Sequence, residues 1–129
     1  MSDYKKTIGI EIHCELNSNT KIFSNSINGY GKTANSNVNV VDLGYPGTLP
    51  TLNMEVVRLA LKAALILNCE INKEMHFDRK NYFYPDLPKG YQITQFKHPI
   101  GTNGYVMINV NGEDKKIGIH DIHLEEDTA

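Results

Sequence analysis

The stretch GYVMINVNGEDKKIGIHDIHLE, residues 104–125, decides the fold that the sequence predicts. Two strand-like runs flank its centre, where the polar residues NGED (111–114) interrupt the apolar pattern. The pair Asn111-Gly112 favours the positive dihedral angles of a tight turn between two twisted strands. We therefore predict an antiparallel hairpin that consists of residues 104–110 and 115–125.

Two other segments carry the alternation of a strand. TIGIEIHCEL (7–16) alternates strictly between apolar and polar residues, which predicts a half-buried strand. YQITQF (91–96) alternates more weakly and predicts a further strand. Residues 17–37 are rich in Asn, Ser, Gly and Thr, and that composition is typical of an irregular loop.

One long helix is predicted over about residues 54–68. Asn53 is placed to cap it, and Glu55 lies in its first turn, where a carboxylate suits the positive end of the helix dipole. Asn68 is a residue type that accepts the left-handed conformation at a helix end. The predicted core face consists of Val57, Leu61, Ala64 and Leu65. The fold class is therefore α+β, a mainly antiparallel sheet with one long helix.

The composition is that of an ordinary folded protein with room for one domain. The 129 residues are 40% hydrophobic and 22% charged, and the net charge of -2 gives no case for a strongly basic nucleic-acid-binding surface. The longest apolar stretch, LALKAALIL (59–67), is far too short to cross a bilayer. Cys14 and Cys69 form no CxxC motif, which favours free, buried thiols in a reducing cytosol. The sequence stops at HLEEDTA directly after a strand-like run, so we expect a fragment of a longer protein.

Acidic residues and histidines share a face on the first and last predicted strands. Glu11, His13 and Glu15 lie on one face of the first. The corresponding set on the last strand is Asp121, His123, Glu125 and Asp127, with Glu126 beside them. Carboxylates with one imidazole suit Mg²⁺ or Mn²⁺, especially where the ion also takes nucleotide phosphates. The wet face of an amphipathic sheet has the same pattern, so both interpretations stay open.

The stretch FDRKNYFYPDLPKGYQ (77–92) combines aromatic rings, two prolines and several charges. Rings and prolines often make a packed, rigid loop without chemistry. The functional alternative is a loop that holds Arg79 and Lys80 near a phosphate while rings stack on a base. Pro85 and Pro88 favour rigidity under either interpretation. The sequence contains no GxxxxGK[ST] and no GxGxxG phosphate-binding motif.

The same stretch resembles the signature of the GatB family, the B subunit of the aspartyl/glutamyl-tRNA(Asn/Gln) amidotransferase. Further resembling stretches follow the family's order: GIEIHCELN (9–17), KIFS (21–24), LGYPGTLPTLN (43–53), ILNCEI (66–71), NGY (103–105) and IHLEED (122–127). The resemblance implies that residues 1–129 are the N-terminal part of the GatB-type catalytic domain. That domain is similar in fold to glutamine synthetase.

The resemblance also implies a reaction. The family amidates Glu mischarged on tRNA-Gln, or Asp on tRNA-Asn, through an acyl phosphate made with ATP. The implied partners are the amidotransferase A and C subunits, of which the first is a glutaminase that supplies ammonia and the second braces the assembly. The implied activity is a cytoplasmic carbon–nitrogen ligase of translation, with glutamine as amide donor, and this piece alone is expected to be inactive. The alternative is a non-catalytic binding module derived from the same fold.

Individual residues take roles only through this resemblance. In the family, the opening Glu-Ile-His and the closing Glu-Glu pair belong to the Mg²⁺ site. The matching residues here are Glu11, His13, Glu125 and Glu126. Arg79 and Lys80 are expected as catalytic cations that face the nucleotide or the substrate, and Tyr82 is expected to join them in binding ATP.

One departure from the family concerns zinc. Many members carry four cysteines in this part of the chain that bind a structural zinc ion. The aligned positions here are Ser24, Ser26, Asn39 and Asp42. Hydroxyl, amide and carboxylate groups in place of thiolates make a poor zinc site. We therefore expect no structural zinc, and a loop that is either held by hydrogen bonds or mobile.

Overall fold

The computed structural model describes residues 3–127 and confirms the α+β class, with antiparallel sheets and one helix in that part of the chain. The elements in chain order are α1 (Met54–Ile66), β1 (Glu70–Ile71), β2 (Asp78–Asn81), β3 (Tyr91–Thr94), β4 (Gly101–Val110) and β5 (Glu113–Ile122). β1, β4 and β5 form a three-stranded antiparallel sheet in the order β1-β4-β5. β2 and β3 form a separate antiparallel pair. Within residues 3–127, no helix combines the length and the apolar character that a membrane span requires.

The β4–β5 hairpin forms where the sequence predicts it. Asn111 and Gly112 connect the strands with φ angles of 55° and 89°, the positive values that this tight turn requires. The register pairs Val110 with Glu113 at the turn and continues to Gly101 opposite Ile122. β3 likewise lies inside the predicted strand 91–96.

The helix is capped as predicted, but one residue of its predicted core face is wrong. The Asn53 side chain accepts a hydrogen bond of 2.9 Å from the Glu55 amide, and Asn68 follows the helix with a φ of 56°. The buried helical residues are Val56, Val57, Ala60 and Ala64. Leu65 is 63% exposed. Because each helical residue is turned about 100° from the one before it, Leu65 lies beyond the stripe that ends with Ala64.

The core joins the helix to the loop before it and to the β2–β3 pair. Its buried members are Ile22, Phe23, Val56, Val57, Ala60, Ile93, Ile100 and Leu124. Phe23 packs edge-to-face on Phe77, with 5.1 Å between the ring centroids. This contact fixes the start of β2 against the loop, so the signature stretch rests directly on the core.

The prediction of a half-buried strand over residues 7–16 is wrong for this structure. The segment joins neither sheet, and Ile8, Ile10 and Ile12 are 83%, 81% and 87% exposed. Cys14 on this segment is exposed too, so the prediction of a buried thiol is wrong there and confirmed only for Cys69. A strand needs a neighbour for its backbone N–H and C=O groups, and none of β1 to β5 pairs with this segment. Only its end is tethered, where Tyr30 Oη donates a 3.0 Å hydrogen bond to Glu15 Oε1. The loop 17–37 is irregular, as predicted, apart from one isolated bridge.

Candidate functional site

The signature stretch forms the β2–β3 hairpin and the loop between its strands. Arg79 pairs with Ile93, and Lys80 pairs with Gln92 across the ladder. The loop is closed by backbone hydrogen bonds from Tyr82 N to Gly90 O, Leu87 N to Tyr84 O and Gly90 N to Leu87 O, at 3.2, 3.0 and 3.0 Å. Leu87 is 3% exposed and anchors the loop. The hairpin therefore carries its charged residues on a braced loop.

The two predicted site cations, Arg79 and Lys80, are exposed neighbours in β2. The Arg79 Cζ atom lies 4.2 Å from the centroid of the Tyr91 ring, and the Lys80 Nζ atom lies 5.7 Å from the centroid of the Tyr82 ring. The salt bridges formed within residues 3–127 include neither cation. Stacking on a ring orients a cation and leaves its charge uncompensated. Both side chains are exposed, so both can meet an anionic ligand.

A third cation of the signature is committed elsewhere. The Lys89 ammonium forms an ion pair with the Glu126 carboxylate, and both side chains are almost fully buried. Glu126 Oε2 also accepts a 3.1 Å hydrogen bond from the Ile93 amide. A buried pair of charges is tolerated only where further hydrogen bonds satisfy it, and here the Ile93 amide provides one to the carboxylate oxygen that Lys89 does not bind. The sequence held no signal for this pair, since 37 residues separate its members.

The acidic segment, residues 123–127, is bound along β3. The Glu126 amide donates to Ile93 O at 2.9 Å, and its carbonyl accepts from Gln92 Nε2 at 2.7 Å. The Leu124 amide donates to the Gln95 side chain at 3.0 Å. Between these anchors the half-buried Glu125 accepts one long hydrogen bond of 3.4 Å from Thr94 Oγ1. Of the two neighbouring glutamates, Glu125 is therefore the one whose carboxylate remains available for a ligand.

Asp121 bridges two histidines where β5 ends. Its carboxylate oxygens lie 2.7 Å from His120 Nδ1 and 2.9 Å from His123 Nδ1. Hydrogen bonds from His120 and then His123 lower the pKa of the Asp121 carboxyl, although burial opposes them. Asp121 and His123 belong to the face that the sequence predicts, whereas His120 was not expected beside them.

The structure does not bring the four predicted Mg²⁺ ligands together. Glu11 and His13 lie exposed on the unpaired segment 7–16, while Glu126 is buried against Lys89. Residues 3–127 contain no group of three His, Cys, Asp or Glu side chains that could hold a metal ion. The magnesium site over Glu11, His13, Glu125 and Glu126 stays a prediction.

The sequence matches the model of the GatB/GatE catalytic domain over residues 6–129. The chain belongs to this family. It is 62% identical over 127 residues to the B subunit of the aspartyl/glutamyl-tRNA(Asn/Gln) amidotransferase from Oceanobacillus iheyensis. Identity is 62% over 129 residues to the protein of the same name from Mycoplasmopsis agalactiae, and 58% over 127 residues to that from Geobacillus thermodenitrificans.

These matches cover nearly all of this chain and a small part of each relative. They span 98%, 100% and 98% of the chain but 27% of the length of each of the three relatives. The resemblance of the signature stretch to the GatB family is thus confirmed.

Proposed function

We propose that this chain is the N-terminal part of the catalytic domain in the GatB subunit of an aspartyl/glutamyl-tRNA amidotransferase. The substrate is Glu carried by tRNA-Gln, or Asp carried by tRNA-Asn, and the product is the amide on the same tRNA. The observation that carries the proposal is identity of about 60% to proteins of this name along essentially the whole chain, signature included. The braced hairpin with exposed Arg79 and Lys80 supplies the physical means.

The proposed chemistry has two steps. A side-chain carboxylate oxygen of the aminoacyl group attacks the γ-phosphorus of ATP, the bond from that phosphorus to the bridging oxygen breaks, and ADP leaves. Ammonia then attacks the carbonyl carbon of the acyl phosphate, inorganic phosphate leaves with its bonding electrons, and the nitrogen loses a proton to give the amide. Phosphoryl transfer depends mainly on positioning and on compensation of negative charge. Cations that are oriented but unpaired suit that role.

Arg79 and Lys80 are the proposed catalytic cations for the first step. Both side chains are exposed, and each lies over an aromatic ring. Both residues belong to β2, whose partner strand β3 is partly buried. Arginine presents a planar fork that matches phosphate oxygens, whereas lysine presents a point charge. Tyr82 orients Lys80 and is the proposed ring for contact with the nucleotide. Lys89 is excluded from this role because its charge is already paired inside the protein.

We expect the proposed reaction to use Mg²⁺ together with ATP. A bound Mg²⁺ would offset charge on the ATP phosphates. The predicted ligands do not form one binding site for this ion. Glu11 and His13 lie on a segment outside both sheets, and Glu126 forms an ion pair with Lys89. Glu125 is the carboxylate that the geometry leaves for it.

The proposed assembly supplies the remaining parts of the reaction. The glutaminase subunit would release ammonia from glutamine, and the third, bracing partner would hold that subunit to this protein in the cytoplasm.

The test is to combine the full-length protein with both partners, ATP and Glu-tRNA(Gln) or Asp-tRNA(Asn). We expect ADP and amidated aminoacyl-tRNA to form together in equal amounts. Tight binding of the partners with no amide in the presence of ATP and glutamine would favour a non-catalytic binding module.

A further inference from the structure

The loop before the helix contains a polar cluster built on one carboxylate. Ser24 Oγ donates to Asp42 Oδ1 at 2.9 Å, and Ser26 Oγ donates to Asp42 Oδ2 at 2.6 Å. The Asn39 backbone amide donates to Asp42 Oδ2 at 2.9 Å. Ser24 and Ser26 are buried, so these hydrogen bonds are shielded from water. Asp42 therefore joins two stretches of chain, 24–26 and 39–42.

Asn39 supports the same cross-link through its side chain. Its Oδ1 atom accepts a 2.8 Å hydrogen bond from the Val41 amide, which shapes the turn that presents Asp42. Its Nδ2 atom donates a 2.7 Å hydrogen bond to Asn25 Oδ1, on the opposite stretch. The residues at all four positions where many family members have zinc-binding cysteines thus contact one another here.

These groups do not fit a zinc ion. Structural zinc is held by thiolates and imidazoles, and this cluster offers two hydroxyls, one amide and one carboxylate. Both oxygens of that carboxylate already accept hydrogen bonds from within the cluster. In addition, the Lys21 ammonium lies 3.8 Å from Asp42 Oδ1. A cation of the protein is therefore already present where a bound metal would bring further positive charge.

We propose that the Asp42 carboxylate takes the place of a metal ion in this loop, and that the protein holds residues 24–26 and 39–42 together without zinc. Ser24 and Ser26 act as the donors, Asn39 sets the turn, and Lys21 supplies the compensating charge. The cross-link also fixes the start of the next segment. Gly44, at a φ of 66°, lies so close to the Lys89 side chain that a Cβ atom there would collide with it. The loop that follows Asp42 therefore lies directly against the signature hairpin at Gly44.

The first experiment measures metal and loop protection in the full-length protein. Zinc content is determined by elemental analysis after purification without chelator, and amide hydrogen exchange of peptides covering 21–42 is followed with and without EDTA. We expect zinc far below one ion per chain and exchange that EDTA does not change. A stoichiometric zinc ion, or faster exchange of these peptides after chelation, would overturn the proposal.

The second experiment removes the central charge and keeps the size of the side chain. Asp42→Asn should speed exchange in peptides 21–42, while Glu74→Gln, which removes an exposed carboxylate elsewhere, should leave that exchange unchanged. Exchange in Asp42→Asn equal to that of the wild type would show that the carboxylate does not hold the loop. If Asp42→Asn does not fold, Ser26→Ala deletes one of its hydrogen bonds, and the same two outcomes decide the matter.

The third experiment makes the converse change. If the four side chains surround a common point, then Ser24→Cys, Ser26→Cys, Asn39→Cys and Asp42→Cys together should create a tetrahedral thiolate site. We expect this variant to bind one zinc ion per chain, and Co²⁺ to give the absorption bands of tetrahedral thiolate coordination. The wild type should give neither signal. A folded quadruple variant that binds no metal would contradict the convergence of these positions.

Discussion

Lys89 and Glu126 form a buried ion pair that ties the signature loop to the acidic segment. The pair matters because both segments contain predicted site residues, and it is the one ion pair between them within residues 3–127. Two hydrogen bonds accompany it: the Glu126 amide donates to Ile93 O, and the Ile93 amide donates to Glu126 Oε2. The position of Glu125, one residue away, therefore depends on a lysine that is itself buried.

The first prediction concerns this pair. Lys89→Met leaves the Glu126 carboxylate buried without its countercharge, which should lower the free energy of unfolding by about 3–5 kcal/mol. Adding Glu126→Gln removes the unpaired charge and keeps an acceptor for the Ile93 amide. The double variant should thus be more stable than Lys89→Met alone, as measured by urea unfolding of the full-length protein. A double variant at least as unstable as the sum of the single changes would show that the two residues do not interact.

The second prediction separates catalysis from packing at Arg79. In the complete enzyme, Arg79→Ala should slow ATP-dependent amidation about 30- to 1,000-fold, because loss of a charge-assisted contact made in the transition state costs about 2–4 kcal/mol. Its contact with the exposed side of the Tyr91 ring accounts for only about 0.5–1 kcal/mol of stability, so the melting temperature should change little. The activity of the glutaminase partner should be intact.

Arg58→Ala is the control for this experiment, because Arg58 is an exposed helical arginine outside the site. It should leave both the rate and the melting temperature near those of the wild type. A normal amidation rate per folded molecule in Arg79→Ala, together with a lower melting temperature, would assign Arg79 to loop structure alone. Lys80→Ala is expected to follow Arg79→Ala in direction.

The third prediction is a dependence of stability on pH through Asp42. Burial alone would raise the pKa of this carboxyl, but hydrogen bonds from Ser26, Asn39 and Ser24 and the charge of Lys21 outweigh it, and the net shift is downward. A carboxyl whose pKa is lower in the folded state stabilises the fold above its unfolded value of 3.8, and this contribution is lost as pH falls through the folded pKa.

The measurement compares the wild type with Asp42→Asn, which cannot titrate. At neutral pH the wild type should be more stable by about 2–3 kcal/mol, from lost charge-assisted hydrogen bonds. The difference should shrink once the pH falls below the range of ordinary carboxyl groups, about 4. Urea unfolding at several pH values measures both curves. A difference that stays constant across this range would contradict the role assigned to the Asp42 charge.

The fourth prediction concerns a close approach between β4 and the chain that leaves α1. A Cβ atom on Gly104 would collide with the Cys69 sulfur and lie 2.8 Å from the Leu67 carbonyl oxygen. Gly104→Ala should therefore cost about 1–3 kcal/mol of stability through overpacking. Gly118→Ala is the matched control, since Gly118 lies on the paired strand β5 with open space where its Cβ would be. Equal stability of the two variants in thermal unfolding would show that β4 can move away from the helix end.

The sequence correctly predicted the helix ends and the hairpin turn, which depend on residues close together in the chain. Asn53 and Asn68 mark the helix ends because a cap and a left-handed residue act within one turn, and Asn111-Gly112 marks the hairpin for the same reason. Exposure of Leu65 depends on what packs against the helix. The Lys89–Glu126 pair depends on residues far apart in the sequence, and no local pattern encodes it. The sequence therefore identified the stretch of residues that contains the candidate site, and only the structure showed which charged residues pair with one another.

The last prediction concerns the segment 7–16, where the local pattern does not show which other strand pairs with it. Its alternation is that of a half-buried strand, yet its isoleucines are exposed and it belongs to neither sheet. The accessible surface of the chain is 10253 Å². A compact monomer of this length would expose only about 6,900 Å². The chain thus exposes more surface than a compact monomer of its length would, and the relatives are several times longer than this chain.

We predict that in the full-length protein residues 8–12 pair as a strand with a part of the same polypeptide that lies outside the structure. Pairing would satisfy the backbone groups and bury Ile8, Ile10 and Ile12 on one face, which would leave Glu11 and His13 on the other. Amide hydrogen exchange of peptides covering 8–12 should be slow in the full-length protein and fast in the 129-residue chain. Peptides from the β4–β5 hairpin should be protected in both proteins, and they control for folding. Protection that arises only after the glutaminase and the bracing partner are added would assign the partner strand to another chain, and fast exchange in the complete assembly would rule out the strand.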